Sequence, residues 1–165
     1  TNTLHQSQGG TFPQRTMGWN ANDTPIFDWI DQGVDWSSVS NAMGGYPSLV
    51  DSGVAFAEIY PGQQVWSSTD WTQHPRTAVG VDYNGATHVV TVDGRTAAGS
   101  GMTTTSLAEL MVDLGSEHAI NFDGGGSTTM YLQDCSLNGV VNFPSDNSAA
   151  DHDGSRSVSD GLYVK

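Results

Sequence analysis

The sequence predicts a β-rich α+β (mixed α/β) domain, a mixed sheet with one clear helix at about residues 103–114. Three observations predict it. Apolar residues keep helical spacing in a single stretch, β-branched residues flank Asn84-Gly85 on both sides, and the acidic residues are nearly all Asp. Asp bonds to nearby backbone in turns and caps, so a chain whose glutamates are Glu58, Glu109 and Glu117 reads as strands and loops. With 165 residues and 36% hydrophobic content, the chain is long enough to bury the core of one domain, residues 1–165.

In chain order, residues 1–47 are rich in Gly, Asn, Asp and Trp and read mostly as loops, with a short apolar patch at "PIFDWI". "YPSLV", "DSG" and "VAFAEIY" read as two short strands joined by a turn. "RTAVGVD" (76–82) and "THVVTVD" (87–93) predict a hairpin, because Asn-Gly readily takes the left-handed backbone of a tight turn. In "TTTSLAELMVDLG", Leu107, Leu110, Met111 and Leu114 recur at i, i+3, i+4 and i+7 and form one apolar stripe. Thr103 is the expected N-cap, Ser106 with Glu109 offers an alternative capping box, and Gly115 supplies the stop. A strand "HAINF", a glycine loop, a strand "TTMYLQ" and a closing strand "SVSDGLYV" complete the expectation.

Net charge is −13, which disfavours nucleic acid as a partner, since a phosphate backbone is bound by Lys/Arg stripes. No apolar run approaches the roughly 18 residues of a membrane-spanning helix. The start "TNTLHQSQGG" has neither a basic nor an apolar signal region and reads as part of a longer protein. Cys135 is alone, so no disulfide forms within the chain, and an inert thiol is expected. The arginines are Arg15, Arg76, Arg95 and Arg156. In so acidic a chain, an arginine carried into a cleft is a candidate anion ligand.

Two carboxylates stand at strand ends before glycine: Asp93, followed by Gly94-Arg95, and Asp123, followed by Gly124-Gly125-Gly126 and Ser127-Thr128-Thr129. An isolated Asp-Gly commonly just starts a turn. Three glycines are costly as plain structure, and successive glycine N–H groups can form a concave anion nest. No Lys follows, so the loop is not of the Walker type.

The segments "RTAVGVD", "HVVTVDGR", "GMTTTSLAELMVDLG", "AINFDGGGSTTM", "VNFPS" and "RSVSDGLYV" occur in the order and spacing of the phosphodiester glycosidase family, which the chain resembles over about residues 40–165. "NAMGGYPSLVDSGVAF" also looks like the family's Gly-Gly-x-Pro-x-Leu segment. The resemblance implies a hydrolase that cleaves a sugar-1-phosphodiester in a glycan or cell-wall polymer, releasing sugar and phosphomonoester. It implies Asp123, then Asp93, as catalytic carboxylates. Arg76, Arg95 and Arg156, the backbone of Gly124, Gly125 and Gly126, and the hydroxyls of Ser127 and Thr128 would hold the phosphate. It also implies an extracellular or secreted setting, a virion tail included. Two departures stand out. Ser155 precedes Arg156 where the family usually has Glu, and the family's N-terminal Asn/Phe-rich strand is not evident in residues 1–20. Another segment or chain is therefore a candidate to complete the domain.

Lesser signals remain. Asp146, Asn147, Asp151 and Asp153 form an oxygen-rich loop in which calcium is a candidate ligand, although the spacing is not that of an EF-hand and a solvated loop explains it as well. The five histidines lack zinc-like spacing; His88 and His118 read as ordinary strand residues, and His74, beside Pro75 and Arg76, is a lesser candidate to approach the site. Trp19, Trp29, Trp36, Trp66 and Trp71 are core anchors or, in part, a sugar-stacking platform. Two rival readings stay open: a non-catalytic glycan-binding module of a phage tail or secreted multidomain protein, and a glycosidase acting on a non-phosphorylated polysaccharide.

Overall fold

A computed structural model describes residues 14–22, 24–30, 37–55, 72–135 and 138–164. Within them, β1 (Gln14–Asn20), β2 (Pro25–Ile30) and β3 (Val39–Gly45) make a three-stranded sheet in the order β2-β1-β3. A second sheet has five strands: β4 (Ser48–Asp51), β5 (Val54–Ala55), β6 (Arg76–Asp82), β7 (Thr87–Val92) and β8 (Ser116–Asn121), in the order β5-β4-β8-β6-β7. Every ladder between these strands is antiparallel. The one helix among the described residues, α1 (Thr104–Asp113), leads from the β7 side back to β8.

Strand periodicity sorts the core into two layers. On β6 and β8, Ala78 and Ala119 face Leu107, Ala108 and Met111 of α1, together with Leu49, Val50 and Ala55. Their neighbours Val79 and Ile120 face the opposite way, onto Met17 of β1 and Phe122, with Trp19, Phe27 and Met43 at the margin. The five-stranded sheet thus lies between the helix and the three-stranded sheet. Gly80 allows the helix to close on β6, because a Cβ there would stand 2.7 Å from Met111 Cε and 2.6 Å from Ser116 Oγ.

Thr103 caps α1, its side chain accepting from Ser106 N–H, and Gly115 follows the helix with φ +86°. The hairpin turns as expected, with Gly85 at φ +85° and Asp82 Oδ1 accepting from Asn84 and Ala86 N–H at 2.8 Å each. Those bonds, that from Ala86 first, hold the Asp82 carboxyl below its ordinary range. Three expectations need correction. Residues 14–45 hold three strands where loops were expected; β1 is paired on both sides, and Met17 is buried at 0% exposure. "TTMYLQ" contributes a single bridge, Tyr131 to Val140, and no strand forms over 157–164. Of the closing segment, Leu162 packs on the core. "YPSLV" and the start of "VAFAEIY" are β4 and β5; residues 56–71 lie outside the description. No helix among the described residues is long and apolar enough to cross a membrane.

Antiparallel register fixes where the loops meet. Arg76 pairs with Val92, and Ala78 with Asn121, so the start of β6 and the ends of β7 and β8 share one edge of the sheet. Asp93 and Asp123 leave from that edge. The Gly-Gly-Tyr-Pro segment seals it: a Cβ at Gly45 would collide with the Asn121 carbonyl, and Asn121 Nδ2 donates to the Tyr46 carbonyl at 2.7 Å.

Candidate active site

The three glycines face three different neighbours. At Gly124 a Cβ would stand 2.6 Å from the Pro75 carbonyl oxygen. Gly125 has φ +59°, a backbone that disfavours side chains, and a Cβ there would stand 2.7 Å from Arg95 Nη1. At Gly126 a Cβ would collide with the Asp146 carboxylate. Residues 125–127 form one 3-10 turn, Gly125–Ser127. The N–H of Gly124 donates to Asp123 Oδ1 at 2.9 Å, and that of Gly125 to the Pro75 carbonyl at 2.9 Å. The loop is therefore less an open nest of N–H groups than a flat floor over which side chains pass.

Two guanidinium groups pass over it. Arg95 lies on Gly125. Arg156 reaches Ser127, with Nε and Nη2 donating to its Oγ at 3.2 and 2.6 Å and Nη1 standing 3.6 Å from Asp146 Oδ1. Both arginines are exposed, as is Asp123 at the head of the loop. Ser127 thus faces the arginine side, whereas Thr128 is buried and its Oγ1 accepts from Thr77 Oγ1 at 3.2 Å.

Two of the residues read from the sequence are built into the frame instead. Arg76 is only 6% exposed; its Nε donates to the Met102 carbonyl at 2.9 Å and its Nη2 to the Thr72 carbonyl at 3.0 Å, tying two loops together. Asp93 Oδ1 accepts from Phe143 N–H at 2.9 Å and Asn142 Nδ2 at 3.1 Å. Asn142 also donates to the Thr128 carbonyl and accepts from Met130 N–H, so it staples the exit of the glycine loop to β7's end. Nothing singled Asn142 out beforehand except its place in "VNFPS".

The acidic loop does not fit calcium. Among the described residues no three His, Cys, Asp or Glu side chains gather as a metal-holding group. Asp146 turns to Gly126 and Arg156, while Asp151 Oδ1 accepts from Asn147 Nδ2 at 2.8 Å and Asp153 N–H at 3.0 Å. Those two bonds, Asn147 first, hold the Asp151 carboxyl low. Asp151 Oδ1 and Asn147 Oδ1, oxygens of the kind a cation would use, thus already accept from amide and backbone N–H groups. Of the tryptophans, Trp19 packs at the core margin and the side chains of the other four lie outside the description.

His74 joins the site. Its Nδ1 accepts from Arg95 Nε and Nη2 at 3.1 and 3.0 Å, and its Nε2 faces Thr72 Oγ1 at 2.7 Å. Burial, then the charges of Arg95 and Arg76, hold its pKa below the ordinary histidine value. At neutral pH it is an uncharged acceptor.

The fold has known counterparts. The catalytic domain of zebrafish N-acetylglucosamine-1-phosphodiester alpha-N-acetylglucosaminidase, auto-inhibited by its pro-peptide, is similar at a TM-score of 0.65 and 26% identity, covering 85% of this chain and 47% of that one. A hypothetical protein from Synechocystis is similar at a TM-score of 0.51 and 26% identity over 71% of this chain and 21% of that one. A protein of Burkholderia pseudomallei K96243, provisionally assigned as exported, gives 0.51 and 25% over 78% and 27%. The SPbeta prophage-derived uncharacterized protein YomE of Bacillus subtilis (strain 168) is 34% identical over 68 residues, which is 41% of this chain and 11% of that protein. The chain spans less than half the length of each. Residues 3–165 match the phosphodiester glycosidase family, a match that begins well before the segment whose motifs carry the resemblance, and the chain belongs to that family.

Proposed function

We propose that the glycine-loop site hydrolyses a sugar-1-phosphodiester, adding water at the anomeric carbon and releasing free sugar and a phosphomonoester. One observation carries this reading: in a chain of net charge −13, two exposed guanidinium groups converge on a glycine floor headed by an exposed carboxylate. Guanidinium donors pair well with phosphate oxygens, so Arg95, with Arg156 beside Ser127, binds the phosphodiester anion. As the bond between the anomeric carbon and the phosphate oxygen breaks, the electron pair leaves on the phosphate, which needs little help from a general acid. The cationic character that grows at the sugar ring calls for a carboxylate; of the two exposed ones at the loop, Asp123 heads it, whereas Asp146 stands 3.6 Å from Arg156 Nη1. Asp93 and Arg76 support the frame. The setting is extracellular or on a virion, in keeping with the prophage-derived relative and the neighbour provisionally assigned as exported.

A glycan-binding module is the second reading, and the Asp146–Arg156 pair at 3.6 Å favours it, since that carboxylate already offsets part of the anion-binding charge. A panel of sugar-1-phosphodiesters, beginning with UDP-N-acetylglucosamine, tests the choice. Sugar release is expected, with Asp123→Asn lowering it by about 100-fold or more and Asp93→Asn by about tenfold or less. No release by the folded protein, with glycan binding retained, would sink the hydrolase reading. Release unaffected by Arg95→Ala and Arg156→Ala would point instead to a substrate without phosphate.

A further inference from the structure

The two guanidinium groups on the glycine floor are held in different ways. Arg156 has an anion as its neighbour, Asp146 Oδ1 at 3.6 Å. Arg95 has an uncharged ring. Both Nε and Nη2 of Arg95 point to His74 Nδ1, at 3.1 and 3.0 Å. Because Nδ1 accepts, the imidazole proton sits on Nε2, where Thr72 Oγ1 lies 2.7 Å away to receive it. With one edge of its fork committed to His74, Arg95 turns Nη1 onto Gly125.

His74 is itself rigidly placed. Its N–H donates to the Met102 carbonyl at 3.2 Å, and Met102 N–H donates back to the His74 carbonyl at 3.0 Å. Gly101 lies so close that a Cβ there would collide with the His74 backbone. Arg76 binds the Thr72 and Met102 carbonyls on either side of it. Arg95 has φ +56°, an uncommon backbone for a side-chain-bearing residue, which sets where its side chain leaves the chain after β7.

We infer that His74 is a positioning residue for substrate binding: a neutral imidazole, fixed in one tautomer by Thr72, that aims Arg95 over Gly125 without cancelling its charge. The inference rests on the reading of the site as a phosphodiester site. A carboxylate at position 74 would orient Arg95 equally well but would neutralise the charge that the phosphate is to meet. An aliphatic residue would leave a long, rotamer-rich side chain to be ordered by the substrate at the substrate's expense.

The test is a double-mutant cycle on UDP-N-acetylglucosamine hydrolysis. His74→Ala is expected to raise KM about tenfold with kcat within about threefold of the parent, the pattern of lost binding. His74→Asn, which can return an acceptor oxygen near the Nδ1 position, is expected to stay within about threefold on both constants. In an Arg95→Ala background, His74→Ala should change nothing further, because its effect passes through Arg95. An equal loss with and without Arg95, or no loss at all, would overturn the inference. Thr72→Val leaves the ring in place and frees its tautomer; a KM rise of about threefold is expected, and it serves if His74→Ala does not fold. If the parent protein cleaves no phosphodiester, the functional reading fails by itself. Nitrogen-15 NMR then decides for His74: the Arg95 Nε–H signal should persist in the parent and in His74→Asn and vanish by exchange in His74→Ala, and an unchanged signal there would overturn the inference.

Discussion

The sheet-and-helix scaffold and the loops at its edge are assembled by opposite rules. In the scaffold, Leu49, Val79, Leu107, Met111 and Ile120 are all buried to 1% exposure or less, and on β6 and β8 neighbouring residues divide between two apolar layers. At the edge, cohesion comes from side chains bonded to backbone: Arg76 on two carbonyls, Asp93 on Phe143 N–H, Asn142 on Thr128 and Met130. Apolar burial is non-directional and additive in area, so it makes a stable platform. Directed hydrogen bonds contribute modestly each but specify position, which is what a site that must present two guanidinium groups needs. The two regions should therefore fail differently.

Leu107→Ala should give the largest effect, and only on the scaffold. It is fully buried between α1 and the five-stranded sheet, and truncating such a residue costs about 3 kcal/mol in lost transfer energy and residual cavity. Urea or thermal denaturation should show that loss, while KM for the phosphodiester stays near the parent's below the transition. A large KM change in the folded variant would mean that scaffold and loops are not separable.

Gly126→Ala should do the reverse. Its Cβ would meet the Asp146 carboxylate, so Asp146 and with it Arg156 must shift, yet no core contact is lost. A displacement of about 1 Å at a binding group can lower turnover by about 100-fold, and that is the expected loss in kcat/KM, with the melting temperature within a few degrees of the parent. If Gly126→Ala instead unfolds the protein, the loop belongs to the scaffold after all.

The same division explains what could be read from the chain. Local chemistry was visible: Asn84-Gly85 turns the hairpin, and Thr103 caps the helix whose stripe Leu107 and Met111 announce. Structure that depends on distant partners was not. β1 has few strand-like residues, and its order comes from pairing with β2 and β3 on either side. The segment 157–164 has the alternation of a strand but no partner ladder. At the site, the glycine triplet stood out because glycine is costly without a reason, although the reasons proved to be Pro75, Arg95 and Asp146 passing overhead. Asp93 and Asp123 look alike in sequence; the Phe143 N–H and Asn142 Nδ2, some 50 residues on, distinguish a frame carboxylate from an exposed one.

The smallest expected effect, and the one that probes the join between the regions, is the response of His74 to acid. Its folded pKa is lowered by burial, then by Arg95 and Arg76, from an unfolded value of about 6.5. The contribution to stability is therefore complete above that value. As pH falls below about 6.5, the unfolded chain binds the proton first, and the contribution drains away until the folded pKa is passed. Protonation also replaces the acceptor at Nδ1 with a donor beside Arg95 and Arg76, so the hold on Arg95 goes with it. Melting temperature measured from pH 8 to 5 should fall slightly more steeply for the parent than for His74→Asn, which cannot titrate, and KM should rise over the same interval in the parent alone. Parallel curves for the two proteins would mean that the imidazole is free to take its proton without disturbing Arg95, and that the arginine is held by the loop backbone.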